Sequence, residues 1–272
     1  MKIGIIGNLG VVGSTLEFAY VKLGHDVIGY DIKGKNSISD VINFRPAIIY
    51  VCVPTPITDD GNCDTSIVEK VINDLLIAIK CNLDFNPIIA IKSTVIPGTT
   101  EKIIQQYKYN KICFVPEFLR ERCAIVDMIE MHNLLAVGTH SDEVFDSVVK
   151  SHGHYPKNVV RLTPTEAEFL KYYHNAVAAL RIIFANEMYD LAEALGINYL
   201  DVKNALIKST QLPDKYFDIS KNMRGFCGTC LPKDTLALLK LAQDKDVDLD
   251  LLEATIVKNQ KYTKTAFPGM RQ

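Results

Sequence analysis

Apolar residues gather along the first 162 positions in short β-branched runs at residues 2–6, 26–30, 47–53, 88–91, 112–115, 134–137 and 159–162. Each run is continuous rather than alternating, the pattern of a strand covered on both faces. Between the runs, residues 12–23, 65–79, 99–106 and 142–150 carry apolar side chains at three- and four-residue spacing and predict helices. Strands alternating with helices predict an α/β fold, a Rossmann-type doubly wound parallel sheet over residues 1–162. In such a sheet, ligand loops lie beyond the carboxyl ends of the strands.

The period changes at Thr163. Thr163-Pro164-Thr165-Glu166 reads as a capping box, and the helix it opens meets no Pro or Gly until Gly196 stops it. So long a helix needs partners along its length. Phe169, Ala176, Leu180, Ile183, Phe184, Met188 and Leu191 are its expected packing face. Further helices are predicted at 199–208, 232–243 and 249–262, with one irregular loop at 209–231. Residues 163–272 therefore read as an all-helical domain with one long helix, following the domain of residues 1–162.

Charge narrows the function classes. The net charge is −2 and no Lys/Arg cluster stands out, so neither nucleic acid nor a membrane surface finds its electrostatic footprint. No apolar run approaches the ~20 residues of a membrane span, and the first strand is too short for a signal peptide. A cytoplasmic protein is expected. The seven cysteines, an odd number, suit reduced thiols in a reducing compartment. Only Cys227 and Cys230 form a close pair. Cys113 and Cys123 do not supply the second pair that a zinc site needs, so no metal is expected.

The first strand runs into Gly7-Asn8-Leu9-Gly10-Val11-Val12-Gly13 and then a helix, and the second ends at Asp31. Glycines permit a tight turn and close approach of backbone to a pyrophosphate at a helix N-terminus. An acid closing the second strand can accept ribose hydroxyls, which favours NAD over its 2′-phosphorylated form. The spacing is one residue longer than G-x-G-x-x-G, and a glycine turn that binds nothing is the alternative.

Gly225-Phe226-Cys227-Gly228-Thr229-Cys230-Leu231-Pro232-Lys233-Asp234 carries the strongest chemical signal. A glycine-bearing loop delivers Cys230 just before a helix start, where the helix N-terminus and Lys233 both favour thiolate and hence a nucleophile. An inert cysteine in a small-residue loop is the bland alternative. Lys171 and Asn175 stand four apart on the long helix and share a face. Residues 53–56, 92–99 and 117–121 all sit at strand ends, where each alone would be an ordinary turn.

In order along the chain, the glycine turn, residues 53–56, 92–99, 116–121, 168–175 with 185–187, 225–234 and 251–254 resemble the UDP-glucose/GDP-mannose dehydrogenase family. The resemblance implies oxidation of the primary alcohol of UDP-glucose to UDP-glucuronate, reducing two NAD. Cys230 would form a thiohemiacetal with the intermediate aldehyde and then a thioester that water hydrolyses. It implies that Lys171 offsets oxyanion charge, Asn175 and Asp234 hold a sugar oxygen or water, Thr94 helps place that water, and Glu121 is the general acid/base. By the same resemblance Gly7, Asn8, Leu9, Gly10, Val11, Val12, Asp31, Lys33, Val53, Pro54, Thr55, Thr94, Glu121 and Lys233 contact NAD. Glu117, Phe118, Leu119, Arg120, Glu121, Lys171, Asn175 and Cys227 line the sugar-nucleotide site. A homodimer built on the long helix is also implied.

GDP-mannose and N-acetylated UDP-sugars are alternative substrates, with Leu-Pro-Lys-Asp after Cys230 favouring glucose or mannose. A module that binds NAD for assembly, without turnover, is the non-enzymatic alternative. Three departures from the family pattern stand out. Cys227 replaces a glycine, residues 214–223 lack an expected arginine, and no third, nucleotide-gripping domain follows the helical one. The last departure predicts weakened substrate binding.

Overall fold

A computed structural model describes residues 1–82, 84–210 and 214–262. Positions 211–213 of the irregular loop and the end of the helical domain, 263–272, lie outside the described residues. The seven apolar runs fold as strands β1 (Lys2–Ile6), β2 (Asp26–Tyr30), β3 (Ile48–Val51), β4 (Ile88–Ile91), β5 (Ile112–Phe114), β6 (Leu135–Gly138) and β7 (Val159–Leu162). They form one sheet in the order β2-β1-β3-β4-β5-β6-β7. The expected helices appear as α1 (Val11–Lys22), α3 (Ser66–Lys80), α4 (Thr99–Tyr107) and α6 (Asp142–His152), and two short ones were not foreseen: α2 (Ile38–Phe44) and α5 (Ala124–Ile129).

Successive side chains on each strand go to opposite faces. Ile3, Ile5, Ile48, Tyr50, Ile88, Ala90, Cys113 and Val115 join Leu16 and Tyr20 of α1, Met128 of α5 and Val148 of α6 on one side. Ile6, Ile49, Val51, Ile89, Ile91 and Phe114 join Val41 of α2, Leu75 of α3 and Ile103 of α4 on the other. Both faces are covered, which is why these strands read as unbroken apolar runs.

The sheet is the doubly wound parallel one expected, with one antiparallel step. All pairings are parallel except β5 with β6, which are antiparallel and register only Phe114 against Gly138. An antiparallel neighbour starts at the end where its predecessor stops. The connection from β5 to β6 therefore stays at the carboxyl end of β5, and its residues gather beside the exits of β1, β3 and β4. Sequence order reverses between β1 and β3, the switch point where such sheets bind ligands.

The helical part opens as its caps predict. In α7 (Pro164–Leu195) the Thr163 amide donates to Glu166 Oε2 at 2.8 Å and the Glu166 amide to Thr163 Oγ1 at 3.3 Å. At its other end Gly196 is left-handed (φ +68°), and Ile197 donates to the Ala192 carbonyl at 3.0 Å, closing the helix. Helices α8 (Tyr199–Thr210), α9 (Leu231–Gln243) and α10 (Asp250–Asn259) follow. The chain divides into two compact units. One comprises Met1–Pro56 and Cys63–Lys171; the other comprises Ile57–Asn62 and the chain from Tyr172 onward.

The packing face assigned to α7 is corrected. Ala176 and Ile183 are buried, but Phe169, Phe184, Met188 and Leu191 are exposed, together with Tyr173, Val177 and Leu195. The helix carries two apolar stripes: one is packed and the other faces outward.

A polar cluster lies wholly inside the first core. Tyr50 and Ser151 hydroxyls meet at 2.6 Å, Tyr20 reaches His152 Nε2 at 3.2 Å, and His152 Nδ1 lies 2.9 Å from the Val148 carbonyl. Burial holds the His152 imidazole well below its ordinary 6.5, and Lys92 adds to the effect. Above 6.5 the ring is neutral whether folded or not. As pH falls through 6.5 only the unfolded chain gains the proton, so stability drops. Urea midpoints measured from pH 7.5 to 5.5 should fall, and His152→Gln should flatten that slope; equal slopes in the two proteins would refute the assignment.

Candidate functional site

Each unit, taken by itself, carries one set of candidate groups. In the first unit the chain turns at Gly7, which is left-handed (φ +84°) and has no room for a Cβ, since one would sit 2.6 Å from the Cys52 carbonyl. Gly13 is as tightly constrained, with the Gly7 carbonyl 2.2 Å from where its Cβ would be. Gly10 is the open one. It caps α1 in extended conformation, its amide donates to the Gly7 carbonyl at 3.1 Å, and nothing crowds its outer side within 3.4 Å. The first-turn amides after it, from Val11 and Val12, have no acceptor within the helix. Leu9 is exposed beside them. The Asn8 side chain turns inward, donating to Glu17 Oε2 at 2.8 Å and filling the space that a Cβ on Gly29 would need.

Asp31 leaves β2 at the same edge and accepts the exposed Lys33 amide at 3.0 Å, a tight turn that presents the carboxylate outward. This cradle suits a dinucleotide. It offers two glycines that bring backbone close, an uncrowded helix N-terminus and an acid at the end of the neighbouring strand.

At the exits of β3 and β4, Ser93 Oγ donates to the Val53 carbonyl at 2.7 Å and fixes Val53-Pro54 next to buried Thr55. Thr94 is half-buried and its carbonyl lies 3.5 Å from Cys63 Sγ. Glu168 of α7 accepts the Gly98 and Thr100 amides at 2.6 and 2.8 Å, capping the start of α4.

The 116–121 segment distributes its roles unevenly. Glu117 Oε2 lies 3.0 Å from Lys92 Nζ, and Oε1 accepts the Phe118 amide at 2.9 Å. Burial pushes the Glu117 carboxyl up, but Lys92 outweighs it and leaves it below the usual carboxylate range. What Glu117 presents to the Lys171 ammonium is its carbonyl, 2.5 Å away, and the same ammonium stands 5.6 Å from the Phe118 ring. Leu119 packs into the core. The Arg120 guanidinium forks onto Asp127 at 2.9 and 2.6 Å. Glu121 begins a single 3₁₀ turn, half-buried.

In the second unit, the loop leading to Cys230 is pinned from both sides. Arg224 Nε and the Gly225 amide both donate to Asn186 Oδ1 of α7, at 2.7 and 3.2 Å. Asn259 of α10 takes the Phe226 amide at 2.8 Å and donates back to its carbonyl at 3.0 Å. Phe226 packs with Ala179 and Ile183 of α7. Beyond these anchors come half-buried Cys227, left-handed Gly228, and Cys230, which is exposed at the N-cap of α9. One turn on, Asp234 is 1% exposed and both its oxygens are taken, by Asn175 Nδ2 and Lys233 Nζ, each at 2.6 Å.

Lys233, next to Asp234 in the chain, brings its ammonium within 2.6 Å of that carboxylate. Among the other thiols, burial pushes Cys52 and Cys113 up to about 12, which removes them as nucleophiles at neutral pH. The described residues contain no cluster of three or more metal-ligating side chains.

Asp127, Arg224 and Asn259 carry no signal in the sequence reading, and Lys92 and Asn186 lie in segments of the resemblance without an assigned role. Lys92 had a readable signal: an ammonium directly after an unbroken apolar strand needs a buried partner.

Comparison with known proteins agrees with this layout. Residues 36–151 match the NAD binding domain of the UDP-glucose/GDP-mannose dehydrogenase family, and residues 165–261 match that family's central domain. The UDP-glucose 6-dehydrogenase of Rhizobium meliloti is 30% identical over 95% of this chain and 67% of its own length. The GDP-mannose 6-dehydrogenase of Pseudomonas aeruginosa is 26% identical over 98% and 70%. Among solved structures, a UDP-glucose dehydrogenase from the hyperthermophilic archaeon Pyrobaculum islandicum shares the fold with a TM-score of 0.84 at 24% identity, over 95% of this chain and 68% of that one. The chain spans about two thirds of the length of the relatives it matches.

The Asn175–Asp234 contact carries its own test. Asn175→Asp would set two buried carboxylates at hydrogen-bonding distance, costing about 3 kcal/mol at pH 8. Because the pair must share a proton, its folded-state affinity for that proton rises, and stability should recover as pH falls toward 5. A melting temperature deficit that is the same at both pH values would disprove the assigned geometry.

Proposed function

Because the chain belongs to the UDP-glucose/GDP-mannose dehydrogenase family, we propose that it oxidises the C6 alcohol of UDP-glucose to UDP-glucuronate, with NAD as cofactor and Cys230 as nucleophile. The observation that carries the reading is the head of α9. An exposed cysteine occupies the N-cap, and one turn later a buried carboxylate orients an amide and an ammonium. A structural cysteine loop has no need of that second group.

NAD, when bound, accepts a hydride at each of two stages. Gly7, Asn8, Leu9, Gly10, Val11 and Val12 would hold its pyrophosphate, Asp31 and Lys33 its ribose end, and Val53, Pro54 and Thr55 would lie along its path, with Thr94, Glu121 and Lys233 toward the reacting end. The protein's own chemistry begins with the aldehyde. Cys230 Sγ adds to its carbonyl carbon, and Lys171 stabilises the oxygen that gains charge. With NAD to supply the hydride acceptor, the adduct on Cys230 would become a thioester. Glu121 takes a proton from water placed by Thr94, Asn175 and Asp234, and the water oxygen displaces the thiolate. Glu117 to Arg120 would shape the sugar site mainly through main chain, since the Glu117 and Arg120 side chains bind Lys92 and Asp127. Cys227 adds a side chain to the wall of that site.

Purified protein with NAD and UDP-glucose should produce two NADH per UDP-glucuronate. Cys230→Ser should lower overall turnover by a factor on the order of 10³ or more and leave NAD affinity unchanged. GDP-mannose in a parallel assay decides the substrate, since both enzymes occur among the relatives. Silence with both sugar nucleotides, or full activity in Cys230→Ser, would overturn the proposal.

The outward stripe of α7 supports a homodimer. Phe169, Tyr173, Val177, Phe184, Met188, Leu191 and Leu195 recur on one side of a single helix and are exposed, an arrangement that favours a partner surface. No helix among the described residues is long and apolar enough to cross a membrane, and no disulfide joins two of the described cysteines, as suits the cytoplasm. Light scattering at micromolar concentration should give twice the chain mass, and Phe184→Glu with Leu191→Glu should halve it. A wild-type monomer contradicts the dimer.

A further inference from the structure

Lys92 carries a charge that cannot reach a ligand, because its side chain is 1% exposed. It ends β4 with its own amide bonded to the Val51 carbonyl at 2.9 Å. The ammonium lies 6.0 Å from the Tyr50 ring centroid and 3.0 Å from Glu117 Oε2. We infer that Lys92 is a positioning residue for Lys171. Through the Glu117 carboxylate it fixes the main-chain carbonyl that holds the Lys171 ammonium, and it keeps that ammonium's charge uncancelled.

Two features of the geometry lead there. The Glu117 carboxylate bridges Lys92 and the amide of the next residue, so the peptide between residues 117 and 118 is clamped from both sides. Its carbonyl is thereby aimed at Lys171 Nζ, 2.5 Å away. The second feature is charge. The Glu117 carboxylate is engaged by the buried Lys92 ammonium, while the Lys171 ammonium is held by the carbonyl of the same residue. Without Lys92, the lysine already bonded to residue 117 is Lys171. The acid would turn to it, pull it from the carbonyl and neutralise it. Lys92 thus leaves a net positive charge at the residue assigned to oxyanion stabilisation. The catalytic consequence rests on the dehydrogenase reading, but the placement of Lys171 does not.

The test has one arm that needs no turnover. With lysine side chains labelled with ¹⁵N in the full chain, the Lys171 ammonium should give a slowly exchanging ¹H–¹⁵N signal, identified by its absence in Lys171→Met. Lys92→Met should abolish or shift that signal. Since this variant buries an unpaired carboxylate and can fail to fold, Lys92→Met/Glu117→Gln, neutral at both positions, is made alongside and should lose the signal too. An unchanged Lys171 signal in the folded variants overturns the inference.

In the kinetic arm, Lys92→Met should lower kcat on the order of a hundredfold, as a small misplacement of a reacting group does, with the KM for NAD unchanged. On a Lys171→Met background, the same substitution should cost less than about twofold, because the two act as one unit. Losses that multiply independently would show a merely structural role and overturn the inference. If the wild-type chain turns over neither sugar nucleotide, the dehydrogenase reading fails and the ammonium signal alone decides the role of Lys92.

Discussion

Taking an ammonium and a carboxylate out of water costs several kcal/mol for each ion, and only close pairing with further hydrogen bonds offsets it. The Lys92–Glu117 pair meets those terms at the point where β4 and β5 leave the sheet. Its second carboxylate oxygen binds backbone, and the loop it anchors belongs to the connection that the antiparallel β6 keeps at that end. The same economy recurs in the second unit, where Asp234 is buried with both oxygens engaged. In both places an acid serves as a fastening for the groups to which the proposed chemistry is assigned.

The sheet and the long helix were legible because they depend on patterns local to the chain. Strands buried on both faces leave continuous apolar runs, and the ends of α7 are marked by Thr163, Glu166 and Gly196 within a few residues of each boundary. Helices α2 and α5 span Ile38–Phe44 and Ala124–Ile129, too short for a 3.6-residue period to register. The antiparallel step escaped notice because direction is a property of the connection, and no residue type announces it. On α7, apolar residues occupy more than one stripe. Sequence shows that they are apolar but not which stripe the rest of the chain covers.

The candidate site shows the same division. Cys230 stands out by its place before a helix start, Asn175 and Asp234 through the family resemblance, and the last two are bonded directly. What those side chains do with their charges was less accessible. Lys233 pairs with its immediate neighbour, Arg120 with Asp127, and Glu117 with Lys92, and each choice depends on distances set by the fold. The buried Tyr20–His152 contact joins residues 132 positions apart, which no local pattern encodes.

The Asn8 side chain occupies the volume beside Gly29, tied to Glu17. Positions 8 and 29 therefore form a single unit of inheritance. A bulkier residue on the second strand is admissible only together with a smaller one in the first turn, and Glu17 then loses its bonding partner. Drift at position 29 therefore waits on an exchange at position 8, and a library that randomises position 29 alone should return almost entirely glycine.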